Sequence, residues 1–204
     1  IDFIYSWLKK QMTIPLYGLV LVGGKSSRMN RDKSSLHYQN KNQREVGIEM
    51  LNKHCSEVFL SCRSAQSQFM EGQYLEDKFL NLGPLGGIMT AQQYNPQVAW
   101  LVIACDLPLL SEETIKFLKQ KRNPLKIATV FKQEEQEFPE PMVSIWEPRA
   151  YRNSLHYLSK GYSCPRKVLI NSTCQIITPP APNEFMNVNT PQEYRTAKKQ
   201  LKEK

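Results

Sequence analysis

Cysteine is sparse and unpatterned in this sequence. The five residues Cys55, Cys62, Cys105, Cys164 and Cys174 contain no Cys-x-x-Cys pair and are odd in number. That pattern supports neither a disulfide framework nor a structural zinc site, and it is what a reducing, cytoplasmic setting leads one to expect. Histidine is scarcer still: His37, His54 and His156 stand too far apart for a metal-ligand spacing. No apolar run approaches the roughly 18 residues that a membrane span needs, so no membrane partner is expected. Internal repeats and low-complexity segments are also lacking.

What is present is a chain of ordinary globular make-up, with 204 residues, 41% of them hydrophobic and 23% charged. Twenty-seven Lys and Arg against nineteen Asp and Glu leave a net charge of +8, which favours anionic partners. Part of that excess, in the terminal "KKQLKEK", reads as a solvated helix face. The opening "IDFIYSWLKKQ" has its lysines after its apolar part, the wrong order for a secretory signal. With Met12 standing just before the first strand, residues 1–11 are expected to be an extension outside the core, and 12–204 a single domain.

Strand and helix signals alternate over the first two-thirds of the chain. Strands are predicted at 17–22, 57–62, 99–104 ("AWLVIA") and 127–131, each a nearly continuous apolar run. Helices are predicted at 43–54, from the turn 83–87 to about Tyr94, and after Ser111-Glu112-Glu113-Thr114, where Ser111 is a natural cap and the acids suit the first turn. Beyond Glu134 the pattern is less regular. A polar, proline-containing connection ("KQEEQEFPEP") leads to helical pieces at 149–159, 164–170 and 191–202 and a strand at 175–178. Alternation with unbroken apolar strands predicts an α/β fold: a three-layer, doubly wound, mostly parallel sheet covered on both faces. Ligands bind such sheets beyond the C-terminal strand ends, where strand order switches. The loop after the first strand and the one after "AWLVIA" are therefore the places to look.

The first of these, "GLVLVGGKSSRMNRDK", contains a Gly-Lys-Ser but is no Walker loop. A Walker loop ending in Gly24-Lys25-Ser26 needs its first glycine at 19, which is Leu19; started from Gly18, it would put Gly24 in the lysine position. The loop is still built for an anion. Gly23 and Gly24 permit close backbone approach, Lys25 and Lys33 supply point charges, and Arg28 can fork across two phosphate oxygens. No aromatics interleave with these charges, which argues against a nucleic-acid partner.

Three further blocks carry candidate chemistry. Asp106 in "CDLP" closes an apolar strand, and its type is open between a metal-binding carboxylate and a turn or capping residue before the next helix. The "GPLGG" of 83–87 brings a helix start close to something, a nucleobase or a packing neighbour. In "NVNTP", 187–191, capping explains Thr190 and Pro191 but leaves Asn187 unexplained.

In this order the four blocks "LVGGKSSRMNRDK", "GPLGG", "CDLP" and "NVNTP" resemble the signature of the molybdenum cofactor guanylyltransferase family of nucleotidyltransferases. The likeness runs from residue 17 to about 200. It implies a Rossmann-like enzyme that joins GMP from GTP to the terminal phosphate of molybdopterin, releases pyrophosphate and uses Mg²⁺. It implies that Leu21, Val22, Gly23 and Gly24 hold the nucleotide, and Arg28 and Lys33 the triphosphate. By the same resemblance Ser61 and Asp77 lie in the guanine-nucleotide site, Asp106 holds Mg²⁺, and Asn187 and Asn189 face the pterin. Cofactor-biosynthesis or acceptor proteins are the implied protein partners. Val22, Asn30 and Ser61 depart from the family's usual Ala, Gly and Asn. The rival functions are a related nucleotidyltransferase using CTP or a sugar phosphate, and a non-catalytic nucleotide-binding module.

Overall fold

The computed structural model describes Ile4 and residues 14–22, 37–38 and 41–202. The expected extension at 1–11, apart from Ile4, and the loop residues Gly23, Gly24, Lys25, Arg28 and Lys33 lie outside the described residues.

The strands, in chain order, are β1 (Leu16–Leu21), β2 (His37–Tyr38), β3 (Lys41–Asn42), β4 (Val58–Cys62), β5 (Tyr74–Glu76), β6 (Ala99–Ala104), β7 (Ala128–Phe131), β8 (Glu140–Trp146) and β9 (Gln175–Ile177). Seven form one sheet in the order β5-β4-β1-β6-β8-β7-β9, while β2 and β3 make a short antiparallel ribbon. Within the sheet only β8 runs against its neighbours. The expected mostly parallel, doubly wound sheet is therefore observed.

Alternation along each strand sends successive side chains to opposite faces, and two cores result. Val20, Leu60, Leu101 and Ile103 pack with Leu51 of the helix Gln43–Asn52 and with Ile115 and Leu118 of the helix Glu112–Gln120. Leu19, Leu21, Phe59 and Trp100 pack on the other face with Leu85, Ile88 and Met89 of the helix Pro84–Tyr94, and with Ala150 and Val168 of the helices Ala150–Ser159 and Pro165–Ile170. The C-terminal helix Pro191–Lys202 adds a small cluster of Leu109, Val188 and Ala197. Among the described residues no helix is long and apolar enough to cross a membrane.

Local chemistry sets the helix starts. Asn42 and Glu45 form a reciprocal capping box for the helix Gln43–Asn52. Ser111 caps the helix Glu112–Gln120 by accepting the Thr114 amide at 3.2 Å.

Three local expectations are corrected. The turn at 83–87 is shorter than expected, because the helix already begins at Pro84. Gly83 alone makes the bend, with a φ of 55° that side chains rarely adopt. The polar stretch before it holds the short strand β5, and the irregular connection after Glu134 runs into β8. The strand β8 lies antiparallel between β6 and β7, with Val143 and Ile145 buried in one core and Trp146 in the other.

Candidate active site

The chain leaves β1 toward β4 and β5, then crosses back to β6 on the other side of β1. The crevice this opens lies beyond the C-terminal ends of β1 and β6. Leu21 sits at its centre, paired with Ser61 of β4 on one side and Ala104 of β6 on the other. The Leu21 carbonyl accepts the Cys105 amide at 3.2 Å, and the Val22 amide donates to the Ser61 carbonyl at 3.1 Å. Both Leu21 and Val22 have buried side chains, so what they can offer a ligand is backbone.

On the β4 side stands a hydroxyl and carboxylate pair. Ser61 Oγ donates to Asp77 Oδ1 at 2.7 Å, with Asp77 just past the end of β5. Burial pushes the Asp77 carboxyl above the usual carboxylate range, and the Ser61 hydrogen bond and the charge of Arg63 oppose that. The helix Pro84–Tyr94 closes over the pair without a side chain at its contact point. A Cβ on Gly87 would lie 2.1 Å from Ser61 Oγ and 3.1 Å from Leu21 Cδ2, and one on Gly86 would lie 2.3 Å from the Phe79 carbonyl oxygen. Thr90 fastens the contact: its hydroxyl accepts the Lys78 amide at 2.9 Å and donates to the Gly86 carbonyl at 2.8 Å. Thus "GPLGG" is a helix start that packs closely on the segment carrying Asp77.

On the β6 side, Asp106 follows the strand by two residues and is half-buried. The neighbouring helix is capped by Ser111, so the capping alternative for Asp106 falls away. Its carbonyl accepts the Val188 amide at 2.9 Å, which brings "NVNTP" to the same edge of the sheet. That segment is held twice more. The carboxylate of buried Glu184 accepts the Ser111 amide at 3.0 Å and hydroxyl at 2.8 Å, and the Glu193 carboxylate accepts the amides of Asn189 and Thr190 at 2.7 and 2.8 Å. Thr190 caps the last helix through the Glu193 amide, as its sequence suggested. Asn187 is exposed and Asn189 half-buried, on either side of the buried Val188.

The sequence had not singled out Glu140. It opens β8, and because β8 runs antiparallel to β6 with Ile103 opposite Val143, this end of β8 lies at the C-terminal end of β6. Burial raises the Glu140 carboxyl; the Met142 amide and Arg166 oppose that shift, and the charge of Asp106 adds to it. The apolar run Val143, Ile145, Trp146 was the available signal, masked by Pro139 and Pro141 in a polar neighbourhood.

Of the predicted site residues, Leu21, Val22, Ser61, Asp77, Asp106, Asn187 and Asn189 therefore gather at one edge of the sheet. The remaining four, Gly23, Gly24, Arg28 and Lys33, lie outside the described residues.

This architecture is that of the nucleotidyltransferases. With a TM-score of 0.76 at 20% identity it matches the crystal structure of molybdopterin-guanine dinucleotide biosynthesis protein A from Archaeoglobus fulgidus, covering 92% of this chain and 100% of that one. The chain belongs to the family described as the MobA-like NTP transferase domain, whose model matches residues 18–175. It is 38% identical over 184 residues to the molybdenum cofactor biosynthesis bifunctional protein of Synechocystis sp., covering 88% of this chain. The chain spans only about half of that relative, 53% of its length. It is 30% identical over 189 residues to the probable molybdenum cofactor guanylyltransferase of Carboxydothermus hydrogenoformans, covering 86% of this chain and 91% of that protein.

Proposed function

We propose that this chain is a molybdenum cofactor guanylyltransferase, transferring GMP from GTP to the terminal phosphate of molybdopterin and releasing pyrophosphate. The observation that carries this reading is the Asp106 to Val188 hydrogen bond: it joins "CDLP" and "NVNTP" at the sheet edge where Leu21, Ser61 and Asp77 also end. The names of the relatives support the choice of substrates.

In this reading the backbone from Leu21 through Gly24 carries the nucleotide, Ser61 and Asp77 serve the base, and Arg28 and Lys33 neutralise the triphosphate. Asn187 and Asn189 serve the pterin side. An acceptor phosphate oxygen forms a bond to the α-phosphorus of GTP while the bond to the bridging oxygen breaks, and pyrophosphate leaves with the electron pair. The acceptor is already ionised, so no protein nucleophile or general base is required. The protein's work is to hold two anions in line and to offset their repulsion.

The metal we assign is Mg²⁺, with Asp106 as its protein ligand. What supports it is a carboxylate at the strand end whose charge is felt by a second one, Glu140, since Mg²⁺ takes one or two carboxylates together with substrate phosphates. When bound, Mg²⁺ supplies charge neutralisation to the triphosphate and the departing pyrophosphate. The five free cysteines suit a reducing cytoplasm, where we place the reaction.

Pyrophosphate release with Mg²⁺, molybdopterin and each of GTP, CTP, ATP and UTP tests the proposal. Release with GTP is expected. A clear preference for CTP, or nucleotide binding without pyrophosphate release, would overturn it.

A further inference from the structure

Ser61 is 2% exposed and projects from β4 toward the helix Pro84–Tyr94, on the same face as Phe59 and Leu21. A buried serine hydroxyl needs a partner, and this one donates to Asp77 Oδ1 at 2.7 Å. The backbone of Asp77 is fixed as well, its amide donating to the Cys62 carbonyl at 2.8 Å. The following amide, of Lys78, is tied to Thr90. The carboxylate is therefore held from its main chain and from one oxygen. Gly87 leaves the room for this, since its missing Cβ would fall 2.1 Å from Ser61 Oγ and 3.2 Å from Asp77 Oδ1.

A carboxylate so held keeps Oδ2 and the second lone pair of Oδ1 for other donors. Guanine presents two adjacent donors, N1–H and the exocyclic amine, which suit one carboxylate. Adenine and cytosine each present an acceptor beside their amine and would set it against the carboxylate. A site built to accept hydrogen bonds rejects a ligand that cannot make them.

We infer that Ser61 is a positioning residue for base selection: its hydroxyl, accommodated by Gly87, holds the Asp77 carboxylate in the orientation that accepts both guanine donors. This rests on the assignment of Asp77 to the guanine site under the proposed function. The hydroxyl has a second effect in the same direction, since it favours the charged form of a carboxyl that burial disfavours.

The test measures dissociation constants for GTP, ITP, ATP and CTP with the full chain, for wild type and for Ser61→Ala, Ser61→Cys, Asp77→Ala and the double variant Asp77→Ala with Ser61→Ala. ITP lacks the exocyclic amine and isolates that contact. In Ser61→Ala, GTP binding is expected to weaken by roughly tenfold or more, the scale of a hydrogen bond to a charged group, and ITP binding by less. Ser61→Cys, which keeps a γ atom at the site but donates weakly, is expected to behave the same way. In the Asp77→Ala background Ser61→Ala is expected to add nothing, because it acts through Asp77. An unchanged ratio of GTP to ITP affinity in both Ser61 variants would overturn the inference, as would full additivity with Asp77→Ala. A wild type that does not prefer GTP over ATP and CTP would remove the proposed function as well, which separates the two failures.

Discussion

The carbonyl oxygen of Asp106 accepts the amide of Val188 at 2.9 Å. Val188 itself is 1% exposed and packs with Leu109 and Ala197, so the segment bearing Asn187 and Asn189 is anchored to the loop that carries the acid. One short contact thus couples the loop at the end of β6 to the start of the last helix.

Asp106→Ala is expected to abolish Mg²⁺-dependent pyrophosphate release while the fold survives. The side chain is half-buried, and the bond to Val188 uses only backbone. Turnover assays paired with thermal melts check this. Full activity in the variant would remove Asp106 from the site.

Gly86→Ala would place a Cβ 2.3 Å from the Phe79 carbonyl oxygen, a backbone atom that cannot swing aside. The helix Pro84–Tyr94 and the segment 77–79 must then separate. Destabilisation of about 1–3 kcal/mol is expected from such overpacking, together with weaker GTP binding because Asp77 moves with that segment. Urea denaturation and nucleotide titration measure the two effects.

Asp77→Asn should trade function for stability. Burial raises the Asp77 carboxyl above its ordinary value of 3.8, so at higher pH the folded state binds more protons than the unfolded state and stability falls as pH rises through that window. Below the ordinary value both states are protonated and the group contributes nothing. The variant should therefore melt higher than wild type at neutral pH, converge with it in strong acid, and bind GTP more weakly. A variant that melts lower than wild type at neutral pH would contradict this.

Arg122→Ala should be strongly destabilising. Its guanidinium donates to both oxygens of Glu147 at 2.7 and 2.8 Å and to the Ile14 carbonyl at 3.0 Å, tying the lead-in to β1 to the end of β8. Glu147 is fully buried, so truncating its partner strands a buried charge, at a loss of about 3–5 kcal/mol. The shift in denaturation midpoint reads this. Guanine preference should persist in whatever fraction remains folded, because the pair lies outside the proposed site.

Much of the scaffold could be read without coordinates. The apolar runs of β1, β4, β6 and β7 and the Ser111 cap announce themselves, because burial on both faces and an N-cap hydrogen bond leave local signatures. The strands β5 and β8 did not. Tyr74–Glu76 is only three residues at a sheet edge, too short for a period, and β8 starts inside a polar, proline-bearing stretch.

The site divides in the same way. The α/β class, the four motif blocks and an acid at the end of an apolar strand are all legible along the chain, because each depends on neighbours within a turn or two. Long-range packing is what aims Ser61 at Asp77, makes Gly86 and Gly87 the contact surface of a helix rather than a loop, and brings Glu140 to the edge bearing Asp106. Those facts depend on which strands pair and which way they run. Strand order and direction are set by the burial of two separate cores across the whole sheet, a quantity that no short window of residues contains.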